Sequence, residues 1–231
     1  MMKRRYESIS HLFLIIIGFL VVYPGGHAYS DQRLNESFLK AIYGRDFSLM
    51  DKLIAEGVDV NAPIRNDLTP LAEAAFAGDL EVVDYLLRKG AKVEGTQKLP
   101  NSPIYFAIIK GNAAVVGRFL DLGVSPNYTW PAGEGTGGTL LTAAVDAGHL
   151  EIVKLLVQRG ADVNFRGSGN YGALYRAIFS DYFDIFKFLL SNGACLNERD
   201  KTALSETAWE KNEKFKKYIQ LLQKNQECKK K

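Results

Sequence analysis

Histidine and cysteine are scarce in this chain of 231 residues, which holds three of the first and two of the second. His11 and His27 fall in or beside the apolar opening of the chain, so His149 stands alone in the remainder. One histidine and two separated cysteines cannot supply the ligand spacing of an ordinary zinc site. A Cys–His or Ser–His–acid relay would have to run through His149. Charge of one sign is lacking as well, with 29 Lys and Arg against 26 Asp and Glu. No basic face emerges outside Lys229, Lys230 and Lys231, which speaks against nucleic-acid binding. The sequence thus predicts no metal, no cofactor and no enzymatic centre.

One long apolar run exists, at the start. Lys3-Arg4-Arg5 precedes the uncharged stretch Leu12 to Tyr23, which Pro24-Gly25-Gly26 ends. That is short of the about 20 residues, roughly 17 at the least, that span a bilayer. With small residues at Gly26, Ala28 and Ser30, the pattern reads as a secretory signal peptide over residues 1–30, cleaved before Tyr29 or Asp31. No cysteine follows the run to accept a lipid. Losing Lys3, Arg4, Arg5 and Glu7 leaves 26 basic and 25 acidic side chains, so most of the net charge belongs to the targeting segment. The expected product is exported, periplasmic first and secreted second, with no stable membrane span. In such a compartment Cys195 and Cys228 could form a disulfide joining the C-terminal cap to the unit before it.

Glycines 57, 90, 123, 160 and 193 recur at spacings of 33, 33, 37 and 33 residues, and most lead into a Gly-Ala/Val-x-x-Asn stretch. A fixed period near 33 marks a solenoid whose units bury apolar faces only against their neighbours. The segment 69–90 is the clearest template. Thr69 caps a helix begun by Pro70, where the missing N–H costs nothing. Ala74 and Ala75 allow close approach, and Gly78 breaks the chain. Val82, Val83, Leu86 and Leu87 then share one face of a second helix, which Gly90 terminates. The anchors recur as Phe38, Leu71, Ile104, Leu141, Leu174 and Leu204, and the small contacts as Ala41, Ala74, Ala107, Ala144 and Ala177.

Thr69-Pro70-Leu71, Thr139-Leu140-Leu141-Thr142-Ala143-Ala144, Gly148-His149-Leu150-Glu151-Ile152-Val153 and Gly160-Ala161-Asp162-Val163-Asn164 together resemble the ankyrin repeat family, over roughly residues 34–222. The resemblance implies an all-α solenoid of about six helix-turn-helix units with extended β-turn fingers. The repeats are placed at 34–63, 64–96, 97–133, 134–166 and 167–199, a C-terminal cap at 200–224 and a basic tail at 225–231. The whole domain spans 31–224. The cap is expected to hold a lysine-rich helix from Lys211 to Gln223. Three departures stand out: Ser102-Pro103-Ile104 at a helix start, Asp181 in place of the turn glycine, and Glu94 in place of the finger asparagine. In this family a histidine after the turn glycine serves the stack, which is the role expected of His149.

Gly133-Glu134-Gly135-Thr136-Gly137-Gly138 spells a dinucleotide-binding turn, but no β-branched strand precedes it, as that motif requires. It coincides with the 37-residue spacing, so a lengthened finger explains it, and a small-molecule or nucleotide site at 133–138 is a lesser alternative. The acid pairs Asp79/Glu81 and Asp181/Asp184 complement helix dipoles rather than forming an acid–base couple. Asn35-Glu36-Ser37 and Asn127-Tyr128-Thr129 are glycosylation sequons of meaning only in a eukaryote.

Family resemblance implies that a partner protein docks on the concave surface made by the fingers and the exposed side of the first helices. On the fingers this selects Arg65, Asn66, Leu68, Lys98, Leu99, Tyr128, Trp130, Glu134, Phe165, Arg166 and Tyr171. On the helix ends it selects Phe76, Ile109, Lys110, Asp146 and Phe179. Apolar and aromatic residues here, where a solvated face would carry Lys or Glu, are the expected anchors. The leading expectation is a monomeric binding module that inhibits, confers immunity to, or assists an enzyme of its compartment, as in exported, bacterial periplasmic members of the family. A secreted effector acting on a host protein is the other binding role considered.

Overall fold

The computed structural model describes residues 32–93, 102–130, 138–166, 171–206 and 215–224. The expected signal peptide, the finger residues Lys98, Leu99 and Glu134, the Gly133–Gly137 turn and the basic tail lie outside the described residues.

Helices come in pairs. They run α1 (Gln32–Gly44), α2 (Phe47–Ala55), α3 (Pro70–Ala77), α4 (Leu80–Arg88), α5 (Pro103–Ile109) and α6 (Ala113–Asp121). After the short strands β1 (Thr129–Trp130) and β2 (Gly138–Thr139) follow α7 (Leu140–Asp146), α8 (Leu150–Gln158), α9 (Ala173–Phe179), α10 (Phe183–Ser191), α11 (Glu198–Glu206) and α12 (Lys216–Lys224). The odd-numbered helices from α1 to α9 pack in series as an inner layer, and α4, α6, α8 and α10 do so as an outer one. The result is the expected helical solenoid. Of the predicted cap helix, residues 216–223 fall within α12, which runs one residue further, and 211–214 lie outside the described residues.

Local chemistry explains the pairs. Thr69 caps α3 through its hydroxyl, which accepts from Ala72 N at 3.3 Å, with Pro70 as the first helical residue. Thr139 and Thr142 form a reciprocal capping box at the start of α7. Ser102, the variant cap, makes no side-chain bond to its helix but is buried. Between helices, Phe38, Leu71, Ile104, Leu141 and Leu174 are sealed from solvent, as are all five expected alanine contacts. Met50, Val83, Val116, Val153 and Phe186 answer them from the outer helices in one continuous core. Interiors packed this closely tolerate little change in volume.

The turns within each pair interlock the repeats. Gly78, Gly111 and Gly148 adopt positive φ values of 77°, 80° and 75°. Over each sits a side chain from the next unit, Asn112, His149 and Tyr182 in turn. A Cβ at Gly111 would lie 2.9 Å from the His149 ring. Asn112 Nδ2 donates to Ala75 O at 2.8 Å, and His149 Nε2 lies 3.3 Å from Ile109 O. His149 is thus a stacking residue. Asp181 holds the glycine's place at φ 59°, and its Oδ1 accepts from the Tyr218 hydroxyl of the cap at 2.8 Å. An aspartate is among the few side chains that tolerate this region.

Finger asparagines staple one unit to the next. Asn61 Nδ2 donates to Gly90 O at 3.0 Å while its Oδ1 accepts from Lys92 N at 2.8 Å. Asn127 repeats the pattern with Gly160 and Asp162, and Asn164 with Gly193 and Cys195. Cys195 is disulfide-bonded, and Cys228, the other cysteine of the sequence, lies outside the described residues. Along the outer helices, Arg118 pairs with Asp84 and Arg159 with Asp121, each at 2.6 Å. No helix among the described residues is long and apolar enough to cross a membrane.

Candidate functional site

Two columns of inner-helix positions repeat along the concave side. One column, at the helix ends, holds Tyr43, Phe76, Ile109, Asp146 and Phe179, and the other, three residues earlier, holds Lys40, Glu73, Phe106, Ala143 and Arg176. What fills them decides where another molecule can be met.

At the front, the face is satisfied from within. Glu73 is fully buried, which is exceptional for a glutamate. Its carboxylate accepts from Arg65 Nε and an Arg65 terminal nitrogen at 3.0 and 2.9 Å, and from the Tyr43 hydroxyl at 2.7 Å. Burial and that carboxylate push the Tyr43 hydroxyl above its ordinary range. Phe76 is also covered. The Lys110 ammonium sits 4.2 Å from its ring centre, and Phe106 approaches edge-on at 6.1 Å.

The rear is built differently. Tyr171, just before α9, and Tyr175 and Phe179 on it form a near-parallel ladder, with successive ring centres 4.3 and 6.0 Å apart. Tyr175 is buried, whereas Phe179, the outermost rung, is 65% exposed. One turn earlier on α9, Arg176 donates to Asp146 Oδ2 and, through Nε, to Tyr171 O at 3.3 Å. Burial pushes the Asp146 carboxyl above its ordinary value, against the downward pull of Arg176. Between Tyr105, Ile109, Ala143, Asp146 and Arg176 lies a cleft of about 390 Å³.

The residues selected from sequence divide accordingly. Phe179, Tyr128 and Phe165 are exposed, and Asn66 stands exposed at the first finger's tip with φ 46°. Leu68 and Ile109 are half-buried, and Leu68 pairs with Arg65 in an isolated bridge. Arg65 and Lys110 are engaged inside the chain, as just described. Arg166 is engaged too, because it binds the fully buried Asp200 through both terminal nitrogens at 3.0 and 2.6 Å. Trp130 belongs to β1, which pairs antiparallel with β2, and its side chain is outside the described set. Asp146 was legible as a groove residue, but the cleft beside it was not. Its only signal is an alanine at 143 where neighbouring units carry Phe106 and Arg176. Among the described residues no group of histidine, cysteine and acid side chains is placed to hold a metal.

Stacked helical hairpins, joined by fingers and presenting a grooved face without a reactive centre among the described residues, define a repeat scaffold for binding macromolecules. The ankyrin repeat family (three copies) matches residues 38–130 and again 130–200, and the chain belongs to that family. Similar proteins include protein phosphatase 1 regulatory subunit 27 of Homo sapiens, 36% identical over 107 residues, which are 46% of this chain and 65% of that one. An ankyrin repeat-containing protein of Schizosaccharomyces pombe is 43% identical over 63 residues, covering 27% of this chain and 28% of the other. Ankyrin repeat and KH domain-containing protein mask-1 of Caenorhabditis elegans is 29% identical over 152 residues, 64% of this chain but 5% of its relative. The chain therefore spans less than two thirds of the length of each of these three relatives. The family marks a protein–protein interaction module, and no enzyme family is indicated.

Proposed function

We propose that the chain is exported by way of residues 1–30 and there grips a partner protein on its concave face, as an inhibitor, immunity protein or accessory factor of an enzyme in that compartment. One observation carries the docking surface. Phe179 is a large aromatic side chain left mostly in water, yet it is held in place by stacking on Tyr175, which Tyr171 backs from its other side. Ordering a side chain before contact lowers the entropy lost on binding. Large aromatics of this kind are where interface energy concentrates. The basic start, short apolar run and small residues of the first 30 positions support the export reading.

Photo-crosslinking in the native cell tests both parts. A benzophenone side chain at position 179 should join the chain to a protein of the exported fraction. The same probe at Leu122, exposed on the outer side, should not. Adducts from 122 but not 179 would refute the concave surface. Retention of the full chain inside the cytoplasm would refute export. Adding the purified chain to the free enzyme that the crosslink identifies then shows directly whether turnover falls or is protected.

A further inference from the structure

The cleft under Ala143 has a composition that selects what enters it. In the column of Glu73, Phe106, Ala143 and Arg176, the alanine is the only small member of these four. Its missing bulk leaves the opening between α5 and α9. Tyr105 and Ile109 form one wall, and Asp146 and Arg176 the other. In the helix-end column, Asp146 is a single acid between apolar neighbours, Ile109 in the preceding unit and Phe179 in the following one. The carboxylate is not withdrawn from visitors, since Arg176 meets it at Oδ2 and its side chain is still 47% exposed. Arg176 is itself only 16% exposed, with its Nε turned to Tyr171 O. It braces the carboxylate from below rather than offering itself to an anion.

We propose that this cleft is a pocket for one basic side chain of the partner protein, a lysine or arginine whose cation pairs with Asp146 while its methylene stem lies on Ile109 and Ala143. Long basic side chains match this division, because an apolar stem leads to a charged tip. Phe179, next in the column, offers its ring face to the same cation or to the residue flanking it. An acidic or purely apolar side chain would cover the Asp146 carboxylate while leaving it only its Arg176 partner at Oδ2, and that rejection is how such a pocket discriminates. Desolvation already disfavours the Asp146 anion despite Arg176. A second cation relieves that cost. The inference rests on the concave-face reading and adds the chemistry of the partner to it.

A displayed random-peptide library panned on the purified chain tests it. Peptides retained by the native chain should be enriched in lysine or arginine at one position. A selected peptide should lose about tenfold or more in affinity on Asp146→Asn. Ala143→Leu, which fills the opening without touching charge, should cause a similar loss, with unchanged far-UV circular dichroism showing that each variant folds. Peptides that lose affinity on Phe179→Ala but carry no basic preference, or bind Asp146→Asn equally well, would overturn the pocket and leave the groove standing. Peptides indifferent to Phe179→Ala, Asp146→Asn and Ala143→Leu alike would overturn the pocket and count against the concave surface too.

Discussion

Phe76 and Phe179 occupy the same position of the repeat, at the ends of α3 and α9, and meet different fates. Lys110 and Phe106 cover the first, while the second stacks on Tyr175 and remains 65% exposed. The acids beside them differ in the same sense. Glu73 in front is sealed by Arg65 and Tyr43, whereas Asp146 toward the rear keeps much of its side chain in solvent. One scaffold thus carries two kinds of concave surface. In front, the acid is consumed by the fold, although the Tyr43 and Arg65 side chains that seal it stay about half exposed. Toward the rear, a braced acid and a pre-stacked ring are left for another molecule.

Of the two groove acids compared, Glu73 should be the more sensitive to loss of its polar partner. Arg65→Met leaves the buried Glu73 with the Tyr43 hydroxyl as its remaining described partner. Breaking a buried pair from one side is expensive, and with the tyrosine retained the loss should be about 2–3 kcal/mol in urea unfolding. A change under 0.5 kcal/mol would mean that the front is as open as the rear. Next in size comes the joint between the halves. Gly111→Ala forces a side chain into a left-handed backbone and against the His149 ring, and should cost about 2 kcal/mol. In a His149→Ala background the ring is gone, so the same change should cost only the backbone term, about 1 kcal/mol. Additive costs in this double-mutant cycle would mean that the ring does not press on the turn.

Much of this was readable beforehand because repetition samples each position several times. Thr69, Pro70, Gly78 and Gly148 act locally, and the period shows them where any single copy would be ambiguous. Asp181 was visible as a misfit in the glycine column, and its left-handed φ follows from the place it occupies. Contacts particular to one pair of units were not readable. Glu73 looks like an exposed helix acid until a finger arginine eight residues back and a tyrosine from another repeat are brought to it. Arg166 fits a groove-facing fingertip equally well, and only the fold sets it against Asp200, 34 residues on. The cleft at Ala143 is a missing side chain, and absence at one position means nothing until its neighbours are known in space.

Two smaller effects sharpen the contrast from the rear side. Phe179→Ala should change folding stability by no more than about 0.5 kcal/mol, as at other mostly exposed positions, while partner binding falls by about 2 kcal/mol or more. Equal losses in both would mark Phe179 as a stacking residue like Phe76.

Asp146→Asn should move stability least, and upward. Burial raises the carboxyl of Asp146 in the folded chain, so folding favours its protonated form. At neutral pH the charged form is therefore a net cost to the fold, softened by solvent because the side chain is half exposed. Asparagine mimics the protonated shape and removes that cost, giving a slightly higher unfolding midpoint than the parent. As pH falls through the folded pKa, the parent gains the same relief by taking up a proton. The two midpoints should thus converge and meet below the unfolded carboxylate's value, near 3.9. A midpoint that drops at neutral pH would show the Arg176 ion pair to be a prop of the fold. A small rise, together with lost affinity for basic peptides, would show a charge kept at the expense of stability because something outside the chain binds it.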